Sequence, residues 1–203
     1  MYIDFTSILE SVVRLVNFDF TPILNVLDTR VSRIDKVESY LQLPYSASAA
    51  IVFLGMCLEN FVFFKITTSL LTDLTTKQKA YILSIRTSYT LSVAGLLHNI
   101  DYIKNIAPKT NSDSMLHLAA YLVSDSVIGF YHYHNYLKSL SGYPHHIVYS
   151  ILIFVSFIQG INTEFSLFLI EELPTLLLSL GSFEPAFKNY KVFGAVFLST
   201  RIL

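Results

Sequence analysis

The sequence predicts an all-α membrane protein: a bundle of about six transmembrane helices, preceded by amphipathic N-terminal helices. Composition is the first observation behind this prediction. Hydrophobic residues make up 53% of the 203 residues, charged residues only 14%, and the mean hydropathy is +0.52. About a quarter of the residues in a soluble domain are charged. The second observation is a series of long apolar stretches separated by short polar connections, which favours several membrane crossings.

The distribution of charge and cysteine narrows the function classes. The 14 basic and 15 acidic residues nearly cancel and the basic ones are scattered, so there is no stripe for nucleic-acid phosphates. Cys57 is the single cysteine, which excludes a disulfide or a cysteine metal site within the chain. We therefore expect membrane lipids as partners, no nucleic acid, no metal and no resident cofactor. Homo-oligomerisation stays open.

Residues 1–43 form the first region, and its apolar residues recur at steps of three and four while charges fill the other faces. This spacing is typical of amphipathic helices that lie against a domain or a membrane surface. The periodic positions are Ile8, Val12, Leu15, Val16, Leu24, Leu27, Val31, Ile34 and Leu41.

Residues 44–203 form the transmembrane region, because about 20 apolar residues cross a hydrocarbon core of roughly 30 Å. The predicted spans are 46–71, 80–100, 115–137, 144–163, 164–181 and 186–203. Only Asn162, Thr163 and Glu164 separate the fourth span from the fifth, so one long broken helix is an alternative there. Lysines and arginines are shared evenly between alternate loops, which leaves the membrane orientation open.

Charged residues inside these spans are expected to face the bundle interior and to have partners, because an unpaired charge in lipid is costly. For Arg86, Glu171, Glu172 and Arg201 we predict structural charge pairs, with a functional carboxylate as the alternative for the two glutamates. Pro174 follows the glutamates and predicts a kink that turns one of them inward.

The third span carries a polar stripe at helical spacing, formed by His117, Tyr121, Asp125, Gly129, His132 and Tyr136. Gly129 removes bulk from the middle of the stripe, where another helix or a ligand would approach. Tyr121, Gly129, His132 and Tyr136 are the predicted lipid-binding residues, and Asp125 lies about 10 Å deeper than His132.

A short connection from Lys138 to Tyr143 makes the third and fourth spans an antiparallel hairpin, so His145 and His146 start the fourth span where the third ends. A neutral imidazole oriented by a carboxylate can act as a general base or nucleophile toward an activated acyl group. His145, His146 and Asp125 are therefore the candidate catalytic residues. The alternative is that the histidines are ordinary interfacial side chains.

The order of these features resembles the TLC-domain family, which includes ceramide synthases and translocating-chain-associated membrane proteins. The resemblance covers residues 46–203. The similar features are Arg86 with Ser88, the sequence YLVSD at 121–125, the pair His145-His146, a glutamate before Pro174, and Arg201-Ile202. It implies an all-helical multi-pass domain of the endoplasmic reticulum or a derived membrane, with a cavity for long-chain lipids.

In the ceramide synthases of that family, the histidine pair belongs to a site that uses acyl-coenzyme A and is followed by aspartates in the next helix. The sequence HIVYSILIFVSFIQGIN contains none. We therefore expect a small member that is not a ceramide synthase and that binds or regulates long-chain lipids through a polar intramembrane cavity. The alternative is a membrane acyltransferase that uses acyl-coenzyme A. A di-metal oxidase is disfavoured because its histidine clusters are missing, and a transporter stays open.

Overall fold

The computed structural model describes residues 33–42, 44–103, 112–140 and 142–201. Within these ranges the chain is helical and contains no strand, which confirms the all-α prediction. The predicted amphipathic helices before residue 33 lie outside the described residues. The last part of that region forms the first described helix.

Ten α-helices and two 3-10 segments follow one another in the described ranges. The α-helices are α1 (Arg33–Leu41), α2 (Tyr45–Leu70), α3 (Thr76–Lys79), α4 (Ile82–Ile103), α5 (Ser112–His132), α6 (His134–Leu137), α7 (Tyr143–Gln159), α8 (Asn162–Ser166), α9 (Glu172–Phe183) and α10 (Tyr190–Arg201). The 3-10 segments are Leu167–Glu171 and Pro185–Phe187.

Two helical stretches in the described part of the chain are long and apolar enough to cross a membrane. They are Tyr45–Leu70, which is α2, and Glu164–Phe183, which joins α8, the first 3-10 segment and α9. Three other helices lie at predicted spans but are not both long enough and apolar enough by the same measure: α4, α5 and α7. Helix α10 has 12 residues, so it is about 18 Å long and shorter than the predicted span 186–203.

The boundary between α7 and α8 is a helix cap. Gly160 has the left-handed backbone conformation with φ 70°. Its N–H donates to the carbonyl of Phe157, and the N–H of Ile161 donates to the carbonyl of Ser156. This pair of bonds is the Schellman motif, which closes a helix. The predicted fourth and fifth spans are therefore two helices, and the break lies a few residues before the predicted one.

The predicted kink near Pro174 takes the form of the 3-10 segment Leu167–Glu171. Proline has no N–H for the carbonyl four residues earlier, so the regular α-helical ladder is interrupted there. Gly95 of α4 faces this segment so closely that a Cβ would overlap the backbone of Leu169 and Ile170. The close approach of α4 holds the bend that carries the two glutamates.

Helix α5 lies in the middle of the bundle and packs against α2, α4 and α7. Its buried side chains join two apolar clusters, one of which also contains Ile34 of α1. The outward faces of α2 and α7 are apolar and exposed, as expected for surfaces in contact with lipid. The large side chains on these faces include Leu54, Leu58, Ile66, Ile151, Phe154 and Ile158.

Candidate functional site

Asp125 of α5 is 2% exposed, and its carboxylate is held by the turn that follows the helix. The hydroxyl of Tyr133 donates to Asp125 Oδ1 at 2.6 Å. Tyr133 comes directly after α5 and leaves helical geometry, with φ −149° and ψ 37°. This change of direction turns its ring back onto the helix. The buried carboxylate therefore has a donor from its own chain eight residues later.

The imidazole of His146 joins Asp125 from α7, and its hydrogen bonds fix its tautomer. Ser126 Oγ donates to the carbonyl of Leu122 at 2.7 Å. The same Oγ lies 2.9 Å from His146 Nδ1. Because the serine hydrogen already points to a carbonyl, which can only accept, Nδ1 must be the donor in the second bond. Neutral His146 then presents an unprotonated Nε2 on its other side.

His146 Nε2 faces Asp125 Oδ2 at 3.8 Å, and both side chains are buried. An unprotonated nitrogen and a carboxylate oxygen would repel each other in such surroundings. One proton held by either group removes this repulsion. Hydrogen bonds then join Tyr133 to Asp125 and His146 to Ser126, and the two pairs meet at the ion-pair distance between Nε2 and Oδ2.

The side chain of His145 leaves α7 in a different direction from that of His146, because consecutive residues on a helix are separated by about 100°. Its ring packs on Tyr149 at a centroid distance of 4.2 Å. It lines a cavity of ≈ 210 Å³ between α5, α7, α8, the first 3-10 segment, α9 and α10. Of the candidate catalytic residues, only His145 reaches this cavity. Asp125 and His146 form the buried network beside it.

The cavity has an apolar wall and a polar end. Its apolar lining consists of Leu118, Tyr149, Leu152, Phe165, Phe168 and Leu169. The polar lining consists of His145, Glu171, Glu172, Thr175 and Arg201. A mainly apolar cleft with a few converging polar groups is the usual form of a small-molecule site.

Side-chain contacts order the polar end of the cavity, which contains Glu171, Glu172 and Arg201. Arg201 Nε lies 3.8 Å from Glu171 Oε2, and its Nη2 donates to the Glu171 carbonyl at 3.3 Å. Ser88 Oγ of α4 donates to Glu172 Oε2 at 2.9 Å. The pairing of Glu171 with Arg201 was one of the predicted pairs. Glu172 instead has hydroxyl partners and remains available to a ligand from the cavity.

The four predicted lipid-binding residues lie outside the cavity lining. His132 packs on Phe64 at a centroid distance of 5.3 Å, and Tyr136 is exposed. The edge of Tyr121 meets the ring of His146. The predicted arrangement assumed one continuous helix through residue 137, whereas α5 ends at His132. The stripe therefore does not continue to Tyr136.

Gly129 removes bulk, as predicted, but the space is filled by the turn after α5 and not by another long helix or a ligand. A Cβ at Gly129 would overlap the side chain of Leu137 and lie 2.8 Å from the Tyr133 ring. Gly129 thus allows the turn to fold back and bring Tyr133 to Asp125.

Arg86 has a carboxylate partner on another helix, but the partner is Glu59 of α2 and neither of the two later glutamates. Arg86 Nη2 lies 3.7 Å from Glu59 Oε2, and Nη1 donates to Asn60 Oδ1 at 2.8 Å. The guanidinium also lies over the ring of Phe63. Glu59, Asn60 and Phe63 lie close together in the first predicted span, but the sequence did not indicate which basic side chain would contact them.

Comparison of the chain with models of protein families, with curated proteins and with solved structures finds no match.

Proposed function

We propose that this protein is a multi-pass membrane protein that binds or regulates long-chain lipids through the cavity at His145. The observation that carries the proposal is the combination of an apolar wall with a polar end, in a protein whose outward surfaces are also apolar. A lipid has the same division between an acyl chain and a polar head. The order of motifs that resembles the TLC-domain family supports the same function and an endoplasmic reticulum location.

Membrane insertion is supported by α2 and by the stretch Glu164–Phe183. We propose that α4, α5 and α7 also cross the membrane, with α10 as a shorter sixth segment. Their apolar residues lie at the predicted spans, and the polar residues they contain are turned toward one another. Hydrogen bonds such as Ser88 to Glu172 are the kind of contact that satisfies polar groups away from water.

In the proposed complex the lipid head lies at the polar end, where the carboxylate of Glu172 accepts hydrogen bonds and the imidazole of His145 accepts or donates them. A cavity of ≈ 210 Å³ holds the head and the first part of a chain. The rest of the chain would follow the exposed apolar side of α7. Leu152 lies at this transition, since it lines the cavity and is 43% exposed.

Lipid retention by the purified protein tests this proposal. The native chain is expected to retain a long-chain lipid through detergent extraction, as measured by mass spectrometry of the organic extract. Leu152→Trp fills the cavity and is expected to reduce the retained amount several-fold. Leu54→Trp on the exposed face of α2 is the matched control and is expected to retain as much as the native chain. Equal retention by all three proteins would contradict the cavity as the binding site.

Acyl transfer is the second candidate function, because His145 lies at the polar end of the same cavity. In this reaction the imidazole takes the proton from an acceptor hydroxyl or amine while the acceptor attacks the thioester carbonyl. The carbon–sulfur bond then breaks, and the imidazole returns the proton to the coenzyme A thiolate. Incubation with labelled acyl-coenzyme A and acceptor lipids tests this candidate. A product that is lost with His145→Ala supports it, and the absence of any product from the native chain rejects it.

A further inference from the structure

A second group of polar side chains is made by α1, α2, α4 and α5. This arginine cluster consists of Arg33, Glu59, Asn60, Arg86 and His117, none of which lines the cavity. Glu59 bridges the two guanidiniums: its Oε1 accepts from Arg33 Nη1 at 3.0 Å, and its Oε2 lies 3.7 Å from Arg86 Nη2. One carboxylate is thus shared between two cations.

Two buried nitrogen atoms of the cluster have no hydrogen-bond partner in the described part of the chain. Arg86 donates to Asn60 Oδ1, which leaves Asn60 Nδ2 as a donor. Asn60 is 1% exposed, and its Nδ2 has no hydrogen-bond partner among the described residues. The same holds for the buried Nε2 of His117. A buried donor without an acceptor costs free energy, so an arriving acceptor would be favoured.

Two guanidiniums and two carboxylates surround these groups. The charged groups that act on the His117 ring are Arg86 and Arg33. Asp113 is the next carboxylate, and it accepts from the backbone N–H of Arg33 at the start of α1. Its position there complements the N-terminus of the helix. Glu59 contacts both guanidiniums, and its interaction with Arg86 at 3.7 Å is longer than a hydrogen bond.

The cluster also opens to the surface. The side chain of Glu59 is 45% exposed, that of Arg33 27% and that of Arg86 17%. Glu59 forms the outer edge, so it can move away while the arginines stay in place. The cluster is thus a pair of partly buried guanidiniums, with a more exposed carboxylate on its outer side that an incoming anion would displace.

We propose that the arginine cluster binds a phosphate-type anion between Arg33 and Arg86, with Asn60 Nδ2 as a further donor. The planar guanidinium matches phosphate oxygens in a two-bond geometry. In the absence of the anion, Glu59 takes its place as an internal carboxylate. The anion is either the headgroup of a phospholipid or free phosphate. The site is separate from the cavity and does not depend on the proposed function.

Native mass spectrometry of the purified full chain in detergent tests this site. The protein is titrated with phosphatidate and with diacylglycerol of the same acyl chains, which differ only in the phosphate. Phosphatidate is expected to bind at least about tenfold more tightly to the native chain, as charge-assisted bonds require. Arg33→Gln is expected to remove most of this preference. Lys65→Gln, which removes an exposed positive charge from α2 outside the cluster, is the matched control and is expected to keep it.

Glu59→Gln separates binding from folding defects, because it is expected to strengthen phosphatidate binding several-fold by removing the competing carboxylate. Loss of structure cannot produce such a gain. Competition by millimolar inorganic phosphate would support the site and assign free phosphate as a sufficient ligand, whereas resistance to competition would assign the lipid headgroup. Equal binding of phosphatidate and diacylglycerol, or equal weakening by Lys65→Gln and Arg33→Gln, would overturn the proposal. Leu152→Trp is expected to leave the phosphatidate preference unchanged, which distinguishes this site from the cavity.

Discussion

Replacement of Asp125 tests the shared proton between α5 and α7. Asn at this position keeps an oxygen for the Tyr133 hydroxyl and places an N–H opposite His146 Nε2. The amide N–H thus takes the place of the proton that one of the two groups holds in the native chain. Asp125→Asn is therefore expected to change the free energy of unfolding by less than about 1 kcal/mol.

Asp125→Ala removes the acceptor of the Tyr133 hydroxyl and leaves this donor buried without a partner. One unsatisfied group costs about 1–3 kcal/mol, so the expected loss is about 1–3 kcal/mol. For a chain of this size, 1 kcal/mol corresponds to roughly 2–4 °C in melting temperature, which gives a decrease of roughly 2–12 °C. Helical circular dichroism during heating in detergent measures it. If Asp125→Asn melts as low as Asp125→Ala, the network needs a full negative charge and the shared-proton argument is refuted.

Two further predictions concern packing and surface charge. Gly95→Ala is expected to lower the melting temperature by several degrees, because the added Cβ would overlap the backbone of the 3-10 segment. Gly55→Ala is the control, since a Cβ there enters open space and is expected to be neutral or stabilising. Equal melting curves for the two variants would contradict the close approach of α4 to that segment. Glu171→Gln is expected to lower the free energy of unfolding by less than about 1 kcal/mol in the same assay, since the ion pair with Arg201 is partly exposed. A larger loss would show that this ion pair holds α10 in place.

Hydropathy alone predicted the helical class and most helix positions, because the apolar stretches and their polar connections are local features. Helix α2 runs over Tyr45–Leu70 where a span at 46–71 was predicted. The last helix starts later than predicted because Asn189 caps it: Asn189 Oδ1 accepts from the N–H groups of Lys191 and Val192. An asparagine before an apolar run is a start signal that the sequence contained.

The hairpin argument correctly brought Asp125 near the start of the fourth predicted span, where His146 meets it. His145, His146 and Asp125 were predicted as one catalytic group, but the two histidines lie in different surroundings because of helical geometry that the sequence already implied. Adjacent residues on α7 diverge, so His146 enters the network and His145 enters the cavity. Tyr133 could not be predicted, because the irregular backbone after His132 has no glycine or proline to signal it.

Long-range charge pairing was the least predictable feature. The need of Arg86 for a partner followed from its place in an apolar span, but its actual partners on α2 depend on how the helices pack. Arg33 is a stronger example, since it belongs to the N-terminal region that was predicted to form amphipathic helices against the domain or the membrane surface. Periodicity gives the apolar face of such a helix and contains no information about which charged group it will meet.

Photo-crosslinking with a diazirine-bearing long-chain fatty acid is the most direct test of the cavity as a lipid site. After irradiation of the native chain in membranes, peptide mass spectrometry is expected to find the adducts on Leu152, Phe168 and Leu169. Excess unlabelled lipid is expected to compete with the labelling of these residues. Adducts confined to the outward face of α2, or adducts around the cavity that unlabelled lipid does not reduce, would contradict the account.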